Sequence, residues 1–114
     1  MDFSYIIEDH RYFKIFKIYG NLSILKTEIF ERVINNITKT TCVIVDCTDL
    51  GLMTSAGVES LVNVSLAAKR NGNRVLFYNL PQQYYRLATM MNYLDFLIII
   101  ETIEEGKVKI RYYT

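Results

Sequence analysis

Three short stretches at residues 42–45, 74–78 and 96–100 are built from β-branched, aromatic and other apolar residues and are almost free of charge. Between them lie segments whose apolar residues recur at three- and four-residue steps. No other feature limits the fold so strongly. Uncharged strands separated by amphipathic helices require parallel neighbours joined by right-handed crossovers, with helices covering the sheet. Two further strand-like segments precede them, at residues 3–8 and 12–19, with Asp9-His10-Arg11 between them as a turn. They form a β-hairpin. The order is β-β-α-β-α-β-α-β plus a tail. The expected fold is α/β: a mixed, mostly parallel sheet with an N-terminal β-hairpin and helices packed on it.

The connecting segments supply the boundaries. Leu22, Leu25, Ile29, Val33 and Ile37 make an apolar stripe, so a helix is expected over residues 22–37, capped by Asn21 or Ser23. A second helix, over about 56–70, should bury Val58, Leu61, Val62, Ser65 and Ala68. Its outer face should carry Glu59, Asn63, Leu66 and Arg70, and Asn71-Gly72-Asn73 should stop it. Pro81 suits the first turn of a third helix, whose inner face is Tyr84, Leu87, Ala88 and Met91. Residues 92–95 read as a turn. Residues 101–105 read as a helical turn stopped by Gly106, and residues 107–112 alternate like an added edge strand. A single domain over 1–114 is expected, with its core at about 3–105 and a short C-terminal extension at 106–114.

At 51% hydrophobic and 22% charged residues, the 114-residue chain has the composition of a soluble globular domain. No apolar run approaches the ~20 residues that span a bilayer, and no signal peptide is visible. The cytoplasm is the expected location. Net charge is +1 and the basic residues are scattered apart from Lys107, Lys109 and Arg111. That pattern does not fit a nucleic-acid binder. Cys42 and Cys47 stand five apart on one strand, so their side chains should point to opposite faces, as small buried apolar residues rather than a disulfide or metal pair. His10 is alone and builds no metal site.

Residues 46–58, Asp46-Cys47-Thr48-Asp49-Leu50-Gly51-Leu52-Met53-Thr54-Ser55-Ala56-Gly57-Val58, read as a strand top, a loop and a first helical turn, where function collects in such folds. Nucleophile elbows, phosphate-binding glycine loops and nucleotide fingerprints are absent from the sequence. Asp46 and Asp49 are acids three apart at a strand end. They suit a magnesium site, or more simply solvate a rim and satisfy backbone amides. Ser55 stands where a helix N-cap is expected. It is also placed as a phosphoacceptor, since a helix N-terminus tolerates added negative charge. Position alone does not choose between these two.

The run Val43-Ile44-Val45-Asp46-Cys47-Thr48-Asp49-Leu50 followed by Leu52-Met53-Thr54-Ser55-Ala56-Gly57-Val58 resembles the signature of STAS domains, the bacterial anti-sigma factor antagonists and their relatives. Gly20-Asn21-Leu22, Asn71-Gly72 and Leu80-Pro81 through Leu94 agree with it. The resemblance covers roughly residues 3 to 105. It implies a non-enzymatic switch. The unphosphorylated protein would bind an anti-sigma factor that is also a serine kinase and so free a sigma factor. Phosphorylation at the position matched by Ser55 would end binding, and a phosphatase would restore it. Asp46 and Asp49 match acidic or polar strand-end positions of the family, and Gly57 matches the glycine at the helix start. The expected partner surface comprises Asp46, Asp49, Met53, Thr54, Ser55, Ala56, Gly57, Glu59, Asn63 and Leu66. Two positions depart from the pattern: Thr54 stands where an acid is frequent, and Ala56 where a second hydroxyl is frequent.

The expectation is therefore an anti-sigma factor antagonist regulated at Ser55, with no enzymatic activity, cofactor, metal or membrane contact. Two alternatives stand beside it. One is a STAS scaffold or signalling module that binds another protein or a nucleotide without phosphorylation. The other is a small hydrolase with Ser55 as nucleophile, which needs a base.

Overall fold

A computed structural model describes residues 2–113. Five strands form one sheet in the order β1-β2-β3-β4-β5: β1 Ser4–Asp9, β2 Phe13–Leu22, β3 Cys42–Met53, β4 Val75–Tyr78 and β5 Ile98–Ile100. β1 runs antiparallel to β2, and the remaining neighbours are parallel. The helices are α1 Thr27–Thr38, α2 Ser55–Arg70, α3 Gln82–Met90 and α4 Ile103–Tyr113. This is the mixed α/β sheet expected from the strand–helix alternation, with residues 42–45, 74–78 and 96–100 contributing adjacent parallel strands.

Because β2 to β5 follow one another across the sheet, right-handed crossovers deliver α1, α2 and α3 to a single face. The core there joins Phe16 and Ile18 of β2, Val43 and Val45 of β3 and Phe77 of β4 with Phe30, Ile34, Val58, Leu61, Val62 and Ala88 of the helices. The other face presents Phe13, Ile15, Cys42, Ile44, Leu76 and Ile100, closed by Ile110 of α4. β2 is thus buried on both sides, as its apolar pattern requires. Cys42 and Cys47 are free thiols in different cores, on opposite faces of β3. Burial pushes both thiols above their usual range.

The structure corrects four expectations. The first helix begins at Thr27, five residues later than its stripe suggested, with Lys26 at the N-cap and no capping side chain. Gly20 takes a positive φ of 79° and does not end the strand; β2 continues until Leu22 pairs with Met53. Leu22 is consequently a buried strand residue, Leu25 is 82% exposed, and the buried stripe of α1 is Phe30, Ile34 and Ile37. Secondly, the loop expected between the strand top at Asp46 and the helix start is strand as far as Met53, since β3 must run as far as its lengthened partner. Thirdly, Phe96 lies in a short 3-10 turn, Leu94–Phe96, ahead of β5. Finally, residues 107–112 are not an edge strand but the body of α4, and Gly106 lies inside that helix, buried. A Cβ on Gly106 would come within 2.7 Å of Ile100 Cδ1 and 2.9 Å of Ile44 Cδ1. Glycine is therefore used for close packing of helix on sheet, not as a stop. Thr114, the end of the tail, lies outside the described residues, as does Met1.

Candidate functional site

The C-terminal half of β3 is irregular. Lys17 and Tyr19 of β2 pair with Asp46 and Asp49, and Gly20 and Leu22 pair with Leu50 and Met53. In both places three residues of β3 stand against two of β2, so β3 carries an extra residue twice, as a bulge does. A regular strand would send residues three apart to opposite faces. The bulges instead bring Asp46 and Asp49 together on the face of Lys17 and Tyr19, and Leu50 and Met53 together into the core under α2.

Side chains from two other elements hold this distorted end. Asn21 Oδ1 accepts from the Leu52 N–H at 2.8 Å. Tyr84 of α3 is bound twice: its Oη accepts from the Met53 N–H at 2.9 Å and donates to the Gly51 carbonyl at 2.8 Å. Together they satisfy backbone groups that a bulged ladder leaves unpaired. Sequence reasoning gave neither residue this task. Asn21 read as a helix cap and Tyr84 as an inner-face aromatic, and nothing local signals a contact across 31 or 33 positions.

The chain then turns into α2. Thr54 is extended (φ −84°, ψ 172°) and its Oγ1 accepts from the Gly57 N–H at 3.4 Å. Thr54, not Ser55, is the N-cap. Ser55 is the first residue of the helix, it is exposed, and its side chain makes no hydrogen bond among the described residues. The helix start sits tightly on β2. A Cβ on Gly57 would come within 2.6 Å of Leu22 O and would collide with Met53 Cγ. Met53 is itself buried, while Leu52 beside it is exposed.

The expected site residues therefore fall into three groups. Met53, Thr54, Ser55, Ala56 and Gly57 form the helix start, with Glu59 exposed one turn on. Asp46 and Asp49 share the opposite face of the sheet. Asp46 Oδ1 is occupied by the Thr48 N–H at 3.0 Å and by Thr48 Oγ1 at 2.5 Å, and Asn79 Nδ2 donates to that hydroxyl at 2.9 Å. Asp49 is exposed. Farther along α2, Asn63 Nδ2 and Ser60 Oγ both donate to Glu31 Oε2 of α1, at 3.4 and 2.6 Å. Leu66 is eleven residues past Ser55, roughly 16 Å at ~1.5 Å per residue. It lines a separate groove with Lys69, Arg74, Phe96 and Tyr113.

Among the described residues, no hydrogen bond joins the Ser55 hydroxyl to an acidic or basic side chain. His10 lies before β2, in the turn from β1, with its Nε2 3.0 Å from Glu8 Oε1. Ser55 follows Met53, the partner of the last residue of β2. The two are separated by nearly the full strand, about 30 Å at ~3.3 Å per residue. Among the described residues no group of three or more His, Cys, Asp or Glu side chains could hold a metal ion, and no helix is long and apolar enough to cross a membrane.

Comparisons place this architecture. No sequence match to a curated protein was found. The anti-sigma factor antagonist SpoIIAA in its unphosphorylated form superposes with a TM-score of 0.69 at 19% identity, covering 95% of this chain and 98% of that one. A putative anti-sigma factor antagonist from Thermotoga maritima gives 0.76 at 18% identity, covering 96% and 94%. The murine anion transporter solute carrier 26 family member A9 gives 0.75 at 16% identity; 92% of this chain matches only 18% of that one. At these identities the likeness is one of fold. The family model described as STAS domain matches residues 5–106, and the chain belongs to the STAS domain family.

Proposed function

We propose that this chain acts as a single domain in the bacterial cytoplasm, as an anti-sigma factor antagonist in transcription control. It is not an enzyme. In its unphosphorylated form it binds an anti-sigma factor that is also a serine kinase. Phosphorylation of Ser55 releases that partner, and a phosphatase resets the switch. One observation carries the reading: Thr54 already caps α2, so the exposed Ser55 hydroxyl has no structural task. Added phosphate would lie at the positive end of a helix of 16 residues. The domain tolerates it there. A partner lying over Met53 to Gly57 must instead desolvate the phosphate's roughly −1.5 to −2 charges. Glu59 is exposed one turn away and repels the same charge. Asp49 and Asp46, on the far face, add a weaker field.

A second reading rests on Thr54. With a hydroxyl residue where an acid is frequent in the family, the domain would be a STAS scaffold that binds its partner without phosphorylation. The two readings separate in one experiment. The purified protein is incubated with ATP and an extract of the source cell, and phosphate is mapped by mass spectrometry. Phosphate on Ser55, absent in Ser55→Ala, supports the switch. No incorporation supports the scaffold, and phosphate on Thr54 would overturn the assignment of Ser55.

A further inference from the structure

The two edges of the sheet differ. β5 has three residues, all buried or half-buried. β1 has six, pairs with β2 without a register shift, and contains neither proline nor lysine. Its central residues Tyr5, Ile6 and Ile7 are 38%, 55% and 39% exposed. Edge strands are normally blunted by charge, proline, bulges or a cover, because an open regular edge accepts another strand. β1 has none of these over its first four residues.

The ladder fixes which backbone groups are open. The His10 N–H donates to Phe13 O at 3.0 Å, and bonded positions alternate along an antiparallel pair. Glu8, Ile6 and Ser4 therefore bond to β2, while the N–H and C=O groups of Tyr5, Ile7 and Asp9 point away from the sheet. Beside them, between β1 and α1, runs a groove of about 640 Å³ whose walls include Ile7, Val33, Asn35 and Ile37. Asn35 Oδ1 is buried and has no hydrogen-bond partner. A buried acceptor without a donor is uncommon in a finished structure.

We propose that the occupant of this edge is a second copy of the chain, which adds its own β1 antiparallel about a twofold axis at Ile6. The strand is self-complementary in that register. Ile6 faces Ile6 of the second copy, Tyr5 faces Ile7, and Ser4 faces Glu8. Tyr5 and Ile7 carry the outward-pointing groups, so symmetry yields about four new backbone hydrogen bonds. Sliding the strands by two residues toward the hairpin sets Ile6 against Glu8 and Tyr5 against Asp9. A further slide opposes Glu8 to Glu8, which is repulsive. Sliding the other way leaves only Ser4 to Ile6 overlapping. The acids that end the strand are already held, Glu8 by Lys17 at 2.8 Å and Asp9 by Lys14. In the preferred register the phenol of Tyr5 from the second copy arrives beside Ile7, over the groove. Its O–H is a donor of the kind that Asn35 Oδ1 lacks.

The test combines sedimentation with site-directed cross-linking. Wild type should pass from monomer to dimer between about 10 μM and about 1 mM, as suits a small interface. Residues facing each other at a non-bonded antiparallel pair have Cα atoms ~4.5 Å apart, within disulfide reach. Ile6→Cys should therefore form an intermolecular disulfide under mild oxidation at least about tenfold faster than Ile7→Cys or Glu8→Cys. The native thiols are buried and do not compete. Ile6→Lys, at an exposed position, should keep the wild-type melting temperature and weaken dimerisation about tenfold or more. A wild type that stays monomeric throughout that range, or equal cross-linking at the three positions, would overturn the proposal.

Discussion

The two faces of the sheet are covered by different means, and the difference bears on the candidate site. One face receives α1, α2 and α3 because three successive parallel crossovers leave no other choice. Among the described residues the other is closed by α4, over Phe13, Ile15, Ile44, Leu76 and Ile100. Beyond α4, toward the C-terminal ends of β2 and β3, that second face carries Lys17, Tyr19, Asp46 and Asp49 and stays partly open. The helix start bearing Ser55 is thus supported from the three-helix side, by Leu22, Met53 and Tyr84. Disturbing α4 should lower stability without altering the geometry around Ser55. Disturbing the supports of β3 should do both.

The largest expected effect breaks the three-helix side directly. Val62 is buried in that core, and Val62→Asp leaves a carboxylate there without a partner, at a cost of several kcal/mol, about 3–5. An unchanged urea midpoint would show that this stripe does not face the sheet. Next is the α4 side. Ile110 is buried against Ile44 and its neighbours, so Ile110→Ala should cost about 2–4 kcal/mol. Partner affinity at the Ser55 end should stay within about twofold, and a larger loss would mean that the two faces are coupled.

A smaller effect sharpens the contrast. Tyr84→Phe keeps the ring and removes the hydroxyl, so Met53 N–H and Gly51 C=O lose their shared partner. The expected cost is about 1–3 kcal/mol. Faster amide hydrogen exchange should follow at Gly51 to Met53 but not in α4; uniform change across both regions would contradict the division. The smallest effects test the cap. Thr54→Ala should cost about 1 kcal/mol, whereas Ser55→Ala should stay within about 0.5 kcal/mol. Equal losses in thermal denaturation would return capping to Ser55.

Two of the three helices on the first face were legible in the sequence, because a periodic signal marked their inner sides: Val58, Leu61, Val62 and Ala68 on α2, and Tyr84 and Ala88 on α3. The departures have a common origin in tertiary context. Gly20-Asn21 looks like a strand end, and only the pairing of Leu22 with Met53 extends both strands. The α1 stripe shifted with it, since Leu22 and Leu25 also fit a helical period. Gly106 looks like a helix stop, but the exposed apolar face of the sheet demanded a cover, and glycine let that cover approach. At the candidate site, the strand end and the helix start that carries Ser55 were visible locally. The cap by Thr54 differs from the expectation by one position. The braces from Asn21 and Tyr84 depend on contacts more than thirty positions away, which a single sequence does not encode in any local pattern.

In the proposed switch, charge on Ser55 controls partner binding while leaving the fold alone. The most direct measurement is titration calorimetry of wild type, Ser55→Ala and Ser55→Asp against the partner kinase captured from the source cell, with circular dichroism melts of all three. Burying an uncompensated charge at an interface costs on the order of 2–5 kcal/mol, roughly a 30-fold to several-thousand-fold loss at ~1.4 kcal/mol per tenfold. The switch predicts that Ser55→Ala binds like wild type and that Ser55→Asp binds at least about 30-fold more weakly with an unchanged melt. Wild-type affinity in Ser55→Asp would contradict it.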